Sequence, residues 1–299
     1  MRRRSSRLLF LGLLSVGLWL PISAQSARAP QSERYALLYQ SLIVSDARPQ
    51  FRALGNLWRD MGHLRASLPA YAAALADAPN VTLALQLAEF YLQLEAPDAA
   101  LDALTLGYAA APRSTALNAA LGFLLAPCDP TRALPHLRAV GFDDRYDSAT
   151  LPLLSLIRRE GALVSPGYSA RVGAILMSAE LWALAEHAYR CAVAQDPTFA
   201  EALAQIAHLR AQQGRSGAYW IAQALALAPT SPDVRLAQAL MLRRLGQPGA
   251  ALEALAVARL YAPNDAALYL ETALTYEQLG QAEAASAWRA QAEAIIGVP

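Results

Sequence analysis

The sequence predicts an all-α protein, a superhelical solenoid in which short helix pairs stack one on the next. First, small, small, aromatic and small residues followed by a proline recur along most of the 299 residues. Second, the closing prolines are evenly spaced, with 33 residues from Pro79 to Pro112, 32 from Pro197 to Pro229 and 34 from Pro229 to Pro263. A helix pair of this length cannot bury its own apolar face, so it must pack on its neighbours.

The clearest copy of the pattern lies at 167–197. Its apolar residues recur at i, i+3 and i+4, which is typical of two amphipathic helices. Ser178-Ala179-Glu180 separates the two helices. Gly173 and Ala185 are small residues that let the two backbones approach closely, and Tyr189 fills the space between them. A proline ends the second helix, because it lacks an N–H and restricts the residue before it.

This pattern resembles the tetratricopeptide repeat, a helix–turn–helix unit of about 34 residues. Two copies lie at 48–112 and four at 166–299. In four copies a glycine follows the first helix, where a left-handed residue ends a helix at almost no steric cost. In the other two copies Glu95 and Glu180 replace that glycine, which we expect to weaken the turn without removing it.

The resemblance implies a concave groove lined by the first helices, which holds a peptide segment or helix of a partner. Polar residues on these helices, away from the packing face, are therefore the predicted groove residues. They are Arg52, Asn56, Arg59, Gln86, Glu89, Gln93, Arg171, His208, Gln212, Arg243, Glu271 and Glu277.

Residues 113–165 depart from the repeat. We interpret them as a degenerate repeat followed by one added helix. A functional insertion is the alternative.

Residues 1–24 have the features of a signal peptide. Arg2, Arg3, Arg4 and Arg7 precede an apolar run of 13 residues, and a small-residue site suited to cleavage follows. Residues 25–47 then read as a linker and an N-terminal capping helix. We expect export to the periplasm or beyond the cell. An uncleaved segment that anchors the chain to the membrane is the alternative.

The composition limits the classes of partner. All 25 basic residues are arginine, and removal of the four in the leader takes the formal charge from +1 to −3. A nearly neutral chain lacks the basic surface of a nucleic-acid-binding protein, so we expect no nucleic-acid partner. Beyond the leader we find no segment long and apolar enough to span a membrane.

The sequence shows no set of residues that predicts catalysis, a cofactor or a metal site. Cys128 and Cys191 could form a disulfide in an oxidising compartment, but we expect Cys191 to be a small buried packing residue. His187 and Cys191 are i, i+4 on one helix face, a spacing that could hold a metal. Two ligands without two more do not make a site, so we predict none.

The repeats account for nearly the whole chain beyond the leader, which leaves no room for a catalytic domain. The sequence therefore favours a non-catalytic scaffold or adaptor for a protein or peptide partner, with the bacterial cell envelope as the expected location. A cell-wall or polysaccharide-binding module is one alternative, although Trp58, Tyr91 and Tyr276 sit at core positions of the repeat. A structural subunit of a secretion or pilus assembly is the other.

Overall fold

The computed structural model describes residues 50–60, 62–160 and 163–297. These residues form fifteen helices and no strand, which confirms the predicted all-α solenoid. The predicted signal peptide at 1–24 and the linker and capping helix at 25–47 lie outside the described residues. The chain divides into two compact units, 1–70 and 71–299.

The described part of the first unit contains one helix and the beginning of the next. Helix α1 spans Gln50–Asp60, and α2 spans Leu64–Asp77 and continues into the second unit. Gly62 separates them with a positive φ of 79°. The Trp58 and His63 rings meet edge to face across this turn, with centroids 5.9 Å apart.

The second unit is a succession of helices, most of them in pairs. In chain order they are α3 (Val81–Gln93), α4 (Pro97–Ala110), α5 (Thr115–Leu125), α6 (Pro130–Val140), α7 (Asp147–Glu160), α8 (Pro166–Ser178), α9 (Trp182–Gln195), α10 (Ala200–Gln212), α11 (Ala218–Leu227), α12 (Pro232–Arg244), α13 (Pro248–Tyr261), α14 (Ala266–Gln278) and α15 (Ala282–Ile296). Each pair packs on the next, and α10, α12 and α14 also pack in sequence on one side. Among the described residues, no helix has the length and apolar character needed to cross a bilayer.

The turn between the two helices of a repeat has the same backbone hydrogen bonds in all six copies. At Gly214, for example, its N–H donates to the Ala211 carbonyl at 3.0 Å, and the Arg215 N–H donates to the Arg210 carbonyl at 2.8 Å. This is the Schellman arrangement, which requires a left-handed residue after the helix. Gly62, Gly246 and Gly280 make the same two bonds at positive φ.

Glu95 and Glu180 occupy this left-handed position in the other two copies. They are the two non-glycine residues with positive φ in the described part of the chain, at 63° and 59°. The Ala96 N–H donates to the Tyr91 carbonyl at 2.9 Å, and the Leu181 N–H to the Leu176 carbonyl at 2.9 Å. The turn therefore persists with a side chain in a backbone conformation that costs an L-residue roughly 1–2 kcal/mol.

The packing predicted within the pair α8–α9 is present. Tyr189 lies against Gly173 so closely that a Cβ on that glycine would come within 2.8 Å of the ring. Ala185 and Ala192 are fully buried. Small residues thus let the two helices approach, and the tyrosine fills the remaining space.

Helix α7 lies between the pairs α5–α6 and α8–α9 and has no partner helix of its own. It packs on α6 and α8 through buried residues that include Leu153 and Leu156. The next helix, α8, returns to the α5–α6 turn. There the Tyr168 hydroxyl donates to the Ala126 carbonyl at 3.1 Å, and the Ser169 hydroxyl to the Pro127 carbonyl at 2.8 Å.

Because α8 returns to this turn, α9 packs on α3 and α5 as well as on its own neighbours. The chain of the second unit therefore folds back after α7. It brings the turn between α3 and α4 against α9 and the end of α10, more than 90 residues later.

Candidate functional site

Four of the predicted groove residues come together on the first helices of successive repeats. His208 and Gln212 lie on α10, Arg243 on α12 and Glu271 on α14. The His208 Nε2 is 2.9 Å from the Gln212 Nε2, and Arg243 forms an ion pair with Glu271 at 2.8 Å. Three consecutive repeats thus contribute polar side chains to one surface.

A pocket of about 300 Å³ opens on this surface. It is lined by Gln212, Leu240, Arg243, Arg244 and Gln278. We call this pocket and the side chains of His208 and Glu271 beside it the polar groove. Arg244 is exposed and forms no ion pair with any described residue, so the groove offers one uncompensated positive charge.

His208 is the buried member of the polar groove, with only 7% of its surface exposed. Burial, and then the nearby positive charge of Arg243, lower the pKa of His208 to about 4. The ring is therefore neutral at physiological pH. Its Nδ1 is buried and has no hydrogen-bond partner among the described residues.

The same environment shifts the pKa of Glu271 upwards, whereas it shifts the pKa of His208 downwards. Burial raises the pKa of its carboxyl group above the ordinary value, and the attraction of Arg243 only partly opposes this. The Arg243–Glu271 pair is also partly covered, with 28% and 24% of the two side chains exposed. The polar groove is thus less hydrated than an open helix face, which strengthens any hydrogen bond formed there.

The other predicted groove residues lie elsewhere. Arg171 forms an ion pair with Glu160, and Glu277 pairs with Arg289 on the adjacent second helix. On α3, Glu89 and Gln93 line a separate pocket of about 440 Å³ that faces the start of α9. Gln86 is half-buried on the same helix.

Three predicted groove residues belong to α1 in the first unit. Arg52 is exposed and Asn56 is half-buried. Arg59 forms an ion pair with its neighbour Asp60 at 2.8 Å.

The structure also shows a second site, which the sequence pattern did not predict. A pocket of about 610 Å³ lies between the α3–α4 turn and α9. Its apolar lining includes Leu92, Pro97 and Ala183, and its polar lining includes His187 and Arg190. We call it the disulfide pocket, because Cys128 and Cys191 form part of its wall.

Cys128 and Cys191 are joined by a disulfide, with their Cα atoms 6.1 Å apart. This corrects our expectation that Cys191 is only a packing residue. Cys128 lies in the α5–α6 turn and Cys191 on α9, 63 residues later. The bond became possible because α8 and α9 return to that turn, a contact that no local pattern reveals.

An ion-pair network borders the disulfide pocket. Glu95 pairs with Arg190 at 2.9 Å and with Arg210. Glu186, only 4% of whose side chain is exposed, pairs with Arg190 at 3.0 Å and with Arg215. Three arginines surround two carboxylates, which leaves an excess of one positive charge.

Glu95 explains why this turn lacks a glycine. Burial acts to raise the pKa of its carboxyl group, but the hydrogen bond from Arg210 and the attraction of Arg190 and Arg210 outweigh it and lower that pKa. The side chain thus offsets the cost of the left-handed backbone by joining two distant parts of the solenoid. The replacement of glycine at this turn and the i, i+4 spacing of His187 and Cys191 are the sequence signals that point to this site.

No family model matches the chain, and no curated protein sequence is significantly similar to it. Several solved structures resemble it at low identity. A tetratricopeptide repeat protein from Parabacteroides merdae is 13% identical with a TM-score of 0.35, over 85% of this chain and 97% of that one. PilF from Pseudomonas aeruginosa is 17% identical with a TM-score of 0.34, over 72% and 91%.

The C-terminal part of a tetratricopeptide repeat protein from Cytophaga hutchinsonii is 14% identical with a TM-score of 0.35, over 71% of this chain and 79% of that one. Identities and TM-scores this low do not assign the chain to a family. The assignment to a solenoid of tetratricopeptide-like repeats therefore rests on the helix pairs and turns of this chain.

Proposed function

We propose that this protein is a binding scaffold that holds a segment of a protein partner in the polar groove. The observation that carries the proposal is the convergence of Gln212, Arg243 and Gln278 from three successive repeats around one pocket, with His208 and Glu271 beside it. Each repeat contributes part of a continuous surface, which is how a solenoid presents an extended partner with many contacts.

The chemistry of the polar groove favours an extended segment that carries a carboxylate. Gln212 and Gln278 present amide groups that can pair with a peptide backbone. The exposed guanidinium of Arg244 can bind a carboxylate through two parallel hydrogen bonds.

We also propose that the protein acts in an exported, oxidising compartment of a bacterial cell envelope. The disulfide between Cys128 and Cys191 supports this, because such bonds persist in oxidising spaces and are rare in the cytosol. Thiol labelling of the protein in intact cells tests it. Cysteines that are blocked until a reductant is added support export, whereas freely labelled thiols contradict it.

Photo-crosslinking in the native host tests the groove. A photoreactive residue at Gln212 should give one discrete adduct with a protein partner. The matched control is the same residue at Glu253, which is exposed on α13 and lies outside the polar groove. Equal adducts from both positions, or none from Gln212, would contradict the proposal.

Once a partner segment is identified, a charge reversal tests the carboxylate. Arg244→Glu should weaken binding by about tenfold or more, since a hydrogen bond to a charged group contributes about 1.5–3 kcal/mol. Arg138→Glu makes the same charge change on the exposed surface of α6, and we expect it to leave binding unchanged. Equal losses from both variants would indicate a general charge effect and not a groove contact.

A further inference from the structure

Three groups with the chemistry of metal ligands meet at the wall of the disulfide pocket. The Sγ atoms of Cys128 and Cys191 and a ring nitrogen of His187 all lie within 4.8 Å of one another. The Nε2 of His187 is 3.7 Å from the Cys191 Sγ. In a tetrahedral zinc site with bonds of about 2.0–2.3 Å, ligand atoms are separated by about this distance.

The surroundings of His187 resemble those of a metal ligand. Its position one turn before Cys191 on α9 directs both side chains to the same face. The ring also hydrogen-bonds the backbone of Leu124 on α5. Hydrogen bonds of this kind hold the imidazole of a ligating histidine in one orientation and one tautomer.

We propose that reduction of the Cys128–Cys191 disulfide converts this cluster into a binding site for a thiophilic cation, with Zn²⁺ as its representative. The oxidised protein has no thiolate to offer, so the disulfide state controls the site. Two thiolates and one imidazole are a ligand set that zinc takes in proteins, with a fourth position left for water or a ligand.

A dithiol is the reductant that opens the Cys128–Cys191 disulfide in this proposal. The dithiol supplies two electrons and two protons, the Sγ–Sγ bond breaks, and the dithiol becomes a disulfide. The two protein thiols then release their protons as Zn²⁺ binds.

The fourth position would face the disulfide pocket. Cys128 is exposed at its rim, and the pocket of about 610 Å³ leaves room for water or a small ligand beside the metal. Loss of the disulfide also removes the covalent link between the α5–α6 turn and α9. Bound zinc would then restore the link between these two elements by a different bond.

Zinc titration of the reduced, full-length chain tests the proposal. The protein is reduced with a dithiol, desalted without oxygen to remove the dithiol, and titrated with zinc chloride, while helicity and thermal unfolding are followed. We expect one Zn²⁺ per chain and a higher unfolding temperature on binding. The oxidised chain is the matched control, and we expect it to bind no zinc at this site.

Two variants separate the site from general metal binding. Reduced Cys128→Ser and reduced His187→Gln should each lose at least about tenfold in zinc affinity, because even residues outside the ligand shell contribute about 10- to 100-fold. Equal zinc binding by the reduced and oxidised chains, or unchanged affinity in either variant, would overturn the proposal. If reduction alone unfolds the chain, zinc must restore its helicity, and failure to do so would also overturn it.

Discussion

Glu95 and Arg190 form an ion pair at 2.9 Å although three helices, α5 to α7, lie between their repeats in the chain. Glu95 lies in the turn between α3 and α4, and Arg190 lies on α9. Arg215 extends the contact, because its Nη1 donates to the Gln93 carbonyl at 3.0 Å. The network thus holds the first part of the second unit against the part that follows α7.

The two glutamates at repeat turns offer a matched pair of substitutions. Glu180→Gly should raise the free energy of unfolding by about 1 kcal/mol, because glycine relieves the left-handed backbone. Glu95→Gly gains the same relief but loses the ion pairs with Arg190 and Arg210. We therefore expect it to be less stable than Glu180→Gly by about 1–2 kcal/mol.

Chemical denaturation of the two glycine variants measures this difference. Glu180 forms no ion pair with any described residue, so it reports the backbone effect alone. Equal stabilisation by both substitutions would mean that the Glu95 network contributes nothing.

A methyl group at Gly173 should disturb the contact between α8 and α9. The new Cβ would lie 2.8 Å from the Tyr189 ring, so Gly173→Ala should cost about 1–3 kcal/mol of stability. Tyr189→Leu in the same chain should recover part of this loss, because the smaller side chain leaves room. Additive effects of the two substitutions in a double-mutant cycle would show that the residues do not touch.

Loss of the disulfide should destabilise the second unit. In the chain-entropy account, closing a loop of 63 residues stabilises the folded state by about 4 kcal/mol, and natural disulfides contribute about 2–5 kcal/mol. Cys128→Ser should therefore lower the unfolding temperature in the absence of zinc. A dithiol reductant should lower the unfolding temperature of the wild type but should not lower that of Cys128→Ser any further. A clear further decrease in the variant would mean that the reductant acts on something other than the disulfide.

His208 should make stability depend on pH below neutrality. Its pKa is about 4 in the folded protein and near 6.5 when unfolded, so the unfolded state binds more protons between these values. Stability from this group is complete above pH 6.5 and is lost as the pH falls towards 4. The loss at pH 4.5 should be about 2–3 kcal/mol.

Urea unfolding of the wild type and His208→Gln at pH 7 and pH 4.5 isolates this contribution. The glutamine does not titrate, so the variant should lose less stability on acidification than the wild type. Parallel losses in both proteins would show that His208 is not the group responsible.

The local features of the repeat could be predicted from the sequence because each depends on residues close together in the chain. The turn positions follow from Gly62, Gly214 and Gly246, where a left-handed residue ends a helix. The close approach at Gly173 follows from its pairing with Tyr189 on the next helix. Groove residues could be proposed because a solenoid presents the same face of each first helix.

The second site could not be predicted, because it depends on contacts between distant parts of the chain. The direction in which the chain leaves α7 determines whether α9 meets α3, and no residue pattern encodes that direction. Cys128 and Cys191 give no distance by themselves, and the sequence pattern does not single out Glu186. Glu95 carries a signal, since it stands where the repeat prefers glycine, and so does the i, i+4 spacing of His187 and Cys191.

The return of the chain at α7 underlies the disulfide pocket and its ion-pair network. A distance measurement between spin labels at Gln93 and Ser216, with the native disulfide left oxidised, tests it most directly. A straight stack of the intervening helix pairs would separate these positions by roughly 40 Å, since packed helices lie about 10 Å apart. We predict a distribution centred at about half that value or less, because the Arg215 side chain reaches the Gln93 carbonyl. A distribution centred near the value for the straight stack would contradict the fold-back.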